Sequence, residues 1–226
     1  MFKTETHMHT SEGSVCGKMT AEEMVYAYRD AGYKTLFISN HFGTQFFDRW
    51  GELSWDETIE RFMLGYRNAK AIGDRLGINV ILSAEIEFDR PCGLHYLVYG
   101  VDEDFFKEYP DLHKMPLEDF SEICKQRGIL FIQAHPYRDM NRRVTPQLVD
   151  GFEVCNPNLR HASNDDLAEQ TAKEYSLYRT AGSDAHRPED VGMTAMMSEK
   201  EIKTAEDYIE LVKSGKAIFF IKETMK

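Results

Sequence analysis

His7-Met8-His9 places two imidazoles one residue apart near the start of the chain. On an extended strand side chains alternate between faces, so both rings of an H-x-H project to the same side and can grip one cation together. Asp184-Ala185-His186 repeats the spacing far along the sequence. Between them, His41 follows TLFISN, Glu85 follows VILSA, His95 opens HYLVYG and His135 follows ILFIQA. Imidazole and carboxylate donors suit Zn, Mn or Fe. A carboxylate such as Glu85 can bridge two ions, and a bridged pair about 3.5–4 Å apart is the usual arrangement for metal-assisted hydrolysis. Taken singly these signals are weak: a lone histidine such as His113 or His161 is most often a surface or core residue, and an isolated H-x-H or post-strand glutamate is common. Taken together they are harder to explain without metal. Converging these carboxylates and imidazoles costs desolvation and repulsion, and a cation converts that cost into binding energy.

The residues that must position these groups alternate between short apolar runs and longer amphipathic stretches. FKTETH and residues 35–39, 80–83, 95–101, 129–133, 151–154, 178–181 and 217–221 read as strands; 20–31, 54–76, 116–126, 165–175 and 202–213 read as helices. The first helix begins TAEE, the capping-box pattern, and Gly32, Gly77 and Gly128 stand where helices should stop. Strand–helix alternation predicts a parallel sheet flanked by helices. Closed, it is a (β/α) barrel; open, a doubly wound sheet. No GxGxxG or GxxxxGK[ST] loop follows an early strand, which weakens the nucleotide-binding sheet. In parallel α/β folds, functional groups gather at the carboxyl ends of the strands, where nearly all the residues above fall.

The 226 residues carry a net charge of −11, with 42% hydrophobic and 29% charged residues. That suffices for a sizeable core and predicts one domain over residues 1–226. No basic run suggests long nucleic acid, and no apolar run approaches the ~20 residues of a membrane span. The N-terminus lacks an apolar signal region. Cys16, Cys92, Cys124 and Cys155 form no CxxC and read as reduced thiols. The expectation is a cytoplasmic protein.

In order along the chain, His7-Met8-His9-Thr10-Ser11, Ser39-Asn40-His41, Ser83-Ala84-Glu85, His95, Ala134-His135-Pro136 and Gly182-Ser183-Asp184-Ala185-His186 resemble the signatures of the PHP (polymerase and histidinol phosphatase) family of metal-dependent phosphoesterases. The resemblance implies a single distorted (β/α)7 TIM-like barrel with two or three divalent ions (Zn, Mn or Fe) at its C-terminal mouth. It implies one ion on His7, His9, Glu85 and Asp184, a second sharing Glu85 with His95 and His135, and a third on His41, His186 and a residue of the loop after H-x-H. That loop, HTSEGS, departs from the family's HTxxSDG. Glu12 is its nearest carboxylate and the choice for the third ion; the alternative is a two-ion site with Glu12 outside the ligand set. The family's Asp in TDH is Asn40 here, a hydrogen-bonding residue rather than a ligand.

By this reading the chain hydrolyses a small phosphomonoester, histidinol phosphate-like or a nucleotide, by attack of a metal-bridged hydroxide, with no protein nucleophile. Three divalent ions carry about +6; Glu12, Glu85 and Asp184 reduce this to about +3, and a hydroxide to roughly +2, matching a phosphate monoester of about −1.5 to −2. Arg138 and Arg160 are the candidates to bind the phosphate. The aromatic segment 41–57 reads equally as a wall over the substrate or as cover for the barrel rim. The expected partner is a small phosphorylated molecule, with neither long nucleic acid nor membrane. Two other readings stand beside this one: hydrolysis of a non-phosphate bond at the same site, and a non-catalytic metal-binding module.

Overall fold

The computed structural model describes residues 1–90, 93–140 and 143–222; Cys92 lies outside them. The strands are β1 (Phe2–Met8), β2 (Tyr33–Ile38), β3 (His41–Phe42), β4 (Asn79–Glu87), β5 (His95–Tyr99), β6 (Leu130–Gln133), β7 (Gly151–Cys155), β8 (Tyr178–Ala181), β9 (Thr194–Ser198) and β10 (Ile218–Ile221). The helices are α1 (Ala21–Asp30), α2 (Thr44–Phe47), α3 (Trp55–Leu76), α4 (Glu103–Glu108), α5 (Leu117–Arg127), α6 (Asp165–Glu174) and α7 (Ala205–Ser214).

Helix ends follow local chemistry. Thr20 caps α1 with Glu23 in a reciprocal capping box, and Ser54 caps α3 with Glu57 in the same way. Gly77 and Gly128 close α3 and α5 in the left-handed conformation at φ 67° and 71°. The short α2 and α4, and the strands β3 and β9, have no clear sequence period. β9 is TAMMS, whose alanine and methionines carry little strand preference.

The sheet runs β10-β9-β1-β2-β4-β5-β6-β7-β8, with β3 pairing to β4. A parallel bridge between Met8 and Ala185 joins the end of β1 to the segment after β8. The path from β1 through β2, β4, β5, β6, β7 and β8 therefore returns on itself as a distorted barrel, with β9 and β10 as an antiparallel extension from the first half of β1. The all-parallel expectation needs correction at β5, which runs antiparallel to both β4 and β6. Its connection from β4, residues 88–94, is too short for the crossover of a dozen or more residues that parallel pairing requires.

The largest core cluster includes Phe42, Phe62, Phe88, Phe106, Phe120 and Phe131, between the sheet and helices α3 to α5. A second joins Met24, Val25 and Tyr28 of α1 to Leu36 and Ile38 of β2. In a third, Phe37, Leu97, Leu130 and Ile132 pack with Tyr208, Ile209 and Val212 of α7. Among the described residues no helix is long and apolar enough to cross a membrane.

Candidate metal centre

Backbone pairing brings the scattered motifs together. Ala185 N–H donates to His7 O at 3.2 Å and His9 N–H to Ala185 O at 2.9 Å, so the H-x-H and D-x-H segments run side by side. The β3–β4 register sets His41 opposite Glu85. The β4–β5 register pairs Glu87 with His95, and Ala134 N–H donates to His95 O at 2.9 Å, which brings His135 alongside.

Ligand atoms of His7, His9, Glu85 and Asp184 all lie within 4.8 Å of one another, as do those of His9, His41 and His186, and those of His41, Glu85 and His95. His135 belongs to the same nest: its Nε2 is 2.9 Å from Glu85 Oε1, and His95 Nδ1 is 3.0 Å from that oxygen. Glu85 is thus the hub, touched by His7, His9, His41, His95 and His135. Two backbone conformations mark the construction. His135 (φ 29°) and Asp184 (φ 49°) are held in the left-handed region, which costs on the order of 1–3 kcal/mol each and persists only where surroundings impose it.

These residues fit divalent cations. His7 Nε2, His41 Nδ1, His95 Nδ1 and Glu85 Oε2 are buried without a hydrogen-bond partner, although His41 Nδ1 is only 2.7 Å from Glu85 Oε2. Close approach without hydrogen-bond geometry means that these lone pairs converge on shared points rather than on each other, which is the demand of a metal site. Electrostatics agrees. Burial alone would raise the carboxyl groups of Glu85 and Asp184, yet both lie well below the usual carboxylate range: His95, His41 and His7 hold Glu85 down, and Arg138 and His7 hold Asp184 down. Burial, then His186 and His41, keeps His9 well below the usual histidine range, and burial takes His41 down to about 4. These are the deprotonated forms that ligate. His7 goes the other way: burial would lower it, but Glu153, Glu85 and Asp184 together raise it.

Glu153, on β7, is a functional residue that the sequence reading missed. Its Oε1 lies 2.9 Å from His7 Nδ1, and its Oε2 accepts from His135 N–H at 3.0 Å and Asn156 Nδ2 at 2.7 Å. It fixes which His7 nitrogen faces the centre and braces the strained His135 backbone, the part that carboxylates play behind metal-binding histidines. Gly182 makes the contact feasible: a Cβ there would lie 2.4 Å from His7 Cβ and 2.6 Å from Glu153 Oε1. Buried Glu5, also missed, accepts from Ser183 N–H and Oγ–H at 3.0 and 2.6 Å and from Tyr28 Oη at 2.8 Å, anchoring the turn before Asp184. The available signal was a lone glutamate in the apolar strand GFEVC; in the mostly polar FKTETHM, Glu5 had no such contrast. Asn40 accepts from Thr10 N–H at 2.8 Å and Ser14 Oγ at 3.1 Å, and Ser14 Oγ lies 3.2 Å from His9 Nδ1.

Glu12 requires correction. Both its oxygens accept from Ala21 N–H at 3.0 Å, and Asn68 Nδ2 approaches at 3.4 Å; it joins none of the three ligand groups found among the described residues. The exposed N–H groups and positive pole of the α1 N-terminus draw the carboxylate away.

Arg138 reaches the centre, pairing Nη2 with Asp184 Oδ2. Arg160 stands further out, held by Asp190 through two parallel bonds of 2.7 and 2.8 Å. Both line a cleft of about 230 Å³ over His41, Asp184 and His186. A neighbouring cleft of about 190 Å³ shares His95 and Arg138 with it. Together they reach the lower part of the ~300–1,000 Å³ range of small-molecule sites. The aromatic segment divides its labour: Phe46 stacks on His41 at 4.1 Å and lines the cleft, whereas Phe47 and Trp50 pack against the main core.

Comparison with known proteins bears on this arrangement. The family model PHP_C, described as PHP-associated, matches residues 163–217, the stretch from α6 to α7 that carries Asp184 and His186. A crystal structure of a two-domain protein from Bacteroides vulgatus ATCC 8482, containing a predicted PHP-like metal-dependent phosphoesterase, superposes with a TM-score of 0.69 at 17% identity over 97% of this chain. The chain carries the PHP fold. It spans 64% of that two-domain protein. PsfC from Pseudomonas syringae PB-5123 matches with a TM-score of 0.66 and 18% identity, covering 98% of this chain and 91% of its own. An amidohydrolase from Chromobacterium violaceum with bound sulfate and no metal matches with a TM-score of 0.60 and 17% identity, over 92% and 95% of the two chains. A search of curated proteins returned no match. The resemblance to the PHP family read from the motifs holds, and it extends through the barrel.

Proposed function

We propose that the chain is a metal-dependent phosphoric ester hydrolase acting on a small phosphomonoester, histidinol phosphate-like or a nucleotide. The observation that carries this reading is the set of buried, unpartnered nitrogen and oxygen atoms converging around Glu85, beneath a cleft lined by Arg138 and Arg160. His7, His9, Glu85 and Asp184 would hold one ion, Glu85 would share a second with His95 and His135, and His41 and His186 would contribute to a third, each imidazole giving its one lone pair to one ion. Divalent ions bound there supply Lewis-acid polarisation of phosphoryl oxygens and a lowered pKa for bound water.

The chain's own groups do the rest. Glu153 orients His7. Phe46 covers one face of His41 and keeps water from it. Arg160, its guanidinium plane set by the two bonds to Asp190, would offer its remaining N–H groups to phosphoryl oxygens. Arg138, tethered to Asp184, lines both clefts at the edge of the centre. In the loop after H-x-H, neither the Ser14 hydroxyl nor the Cys16 thiol is poised as a nucleophile: Ser14 is committed to Asn40 and to His41 N–H, and the Cys16 thiol is pushed up to about 11 by burial, then by Glu85 and Asp184.

The test is a screen of phosphomonoesters with purified protein, with and without chelator. Chelator-sensitive turnover that is lost in His135→Ala and Asp184→Ala variants of native circular dichroism is the expected result. Retained turnover in either variant contradicts it. The pairing of both arginines with carboxylates favours a second reading, hydrolysis of a neutral substrate such as an amide at the same centre. In that case removing Arg160 leaves KM unchanged.

A further inference from the structure

Thr4 Oγ1 apart, the buried side-chain atoms without a hydrogen-bond partner gather in two places among the described residues. His7, His41, Glu85, His95 and Arg138 hold those of the metal centre and its edge. Thr44 Oγ1 and His113 Nδ1 belong to residues that line one cleft across α2 from it. That cleft measures about 560 Å³, inside the ~300–1,000 Å³ range of small-molecule sites. It shares no lining residue with the two clefts over the centre. We propose that it is a second binding site, which takes a small organic cation: an aromatic or apolar body carrying a protonated amine. The proposal goes beyond the metal-centre reading and does not depend on it.

The walls suit such a body. Phe47 and Trp55 line the cleft, and the core residue His113 is the most buried of its lining residues. The Phe47 ring meets those of Trp55 and His113 edge-on, at 6.3 and 5.3 Å between centroids. Trp55 Nε1–H is committed to Phe106 O at 2.9 Å, so the indole offers this cleft its π system rather than a donor. On α2, Phe46 stacks on His41 at 4.1 Å while its neighbour Phe47 lines this cleft. The occupant would therefore stand back to back with the metal cleft, as a separate molecule.

Charge selects the ligand. Asp48, Glu52 and Asp111 line the cleft against a single cation, Lys114, which Asp111 takes at 2.9 Å. Asp48 and Glu52 are left to repel a phosphate and attract an ammonium group, which aromatic faces also favour. Burial lowers His113, so its ring is neutral and keeps a lone pair for an N–H donor. A buried polar atom left unpaired is costly, and an amine supplies the partner that Thr44 and His113 lack within the chain.

Both tryptophans of the chain, Trp50 and Trp55, lie in the segment that builds the cleft, so tryptophan fluorescence reads its occupancy. The protein is titrated at neutral pH with benzylamine, and in parallel with benzyl alcohol and benzoate, which carry the same ring with no charge and with a negative one. Benzylamine should bind saturably, benzyl alcohol at least about tenfold more weakly and benzoate not at all. His113→Phe, checked by circular dichroism, should weaken benzylamine at least about tenfold. The exposed pair Asp48→Asn with Glu52→Gln should abolish the preference for the amine over the alcohol. Chelator treatment should leave benzylamine binding unchanged. No saturable binding of benzylamine, equal binding of the three probes, or full affinity in both variants overturns the second site and leaves the metal centre standing. Binding that is lost with the metal places the cation at the centre and overturns the proposal equally.

Discussion

Buried imidazoles stand on both sides of the segment that links β3 to α3. On one side His41 has Phe46 stacked on its ring and Glu85 2.7 Å from its Nδ1, with His9 and His186 beside it. On the other, His113 is 2% exposed, stacks on Trp55 at 6.2 Å and meets Phe47 edge-on at 5.3 Å, with Nδ1 unpartnered. Burial lowers both rings. The difference lies in the company. His41 has carboxylates and other imidazoles converging with it, so its unpartnered nitrogen has a cation to serve. His113 has aromatic rings and behaves as a core residue. Burial of a histidine says little about function until the groups that share its desolvation are known.

Four substitutions break or sharpen this contrast. Asp184→Asn keeps the shape of the centre and removes one of its two shared charges; turnover should fall by at least about 10²–10³-fold, read against a phosphomonoester found active in the screen. Glu153→Gln leaves every ligand in place and loosens His7; metal affinity by competition with a chelator should drop roughly 10–100-fold. Arg160→Met, at the rim, should raise KM for a phosphorylated substrate about tenfold with a smaller change in kcat, the scale of one charge-assisted contact. His113→Phe should leave activity unchanged and shift stability by no more than about 1 kcal/mol in denaturant unfolding. A large loss of metal or activity in His113→Phe would erase the distinction between the two sides.

Much of this centre was legible before any coordinates. The histidines and acids fall at strand ends because the strands are read from their apolar runs, and a barrel gathers strand ends at one mouth. What stayed hidden has physical causes. Glu12 looked like a ligand by proximity in sequence, but the α1 N-terminus offered it backbone N–H groups. Glu153 and Glu5 were lost inside the short strands GFEVC and FKTETHM, where the sequence pattern reports strand and nothing reports a buried carboxyl that braces a neighbour. The direction of β5 depended on the short connection at 88–94, while β9 carries too little strand preference to announce itself.

The central claim is that one carboxylate, Glu85, organises a buried multi-cation centre, and metal analysis of Glu85→Gln beside the wild type tests it most directly. After equal dialysis, the wild-type chain should retain more than one divalent ion and Glu85→Gln, folded by circular dichroism, should lose most of them. Equal metal content in the two proteins, or none in either, would contradict the account.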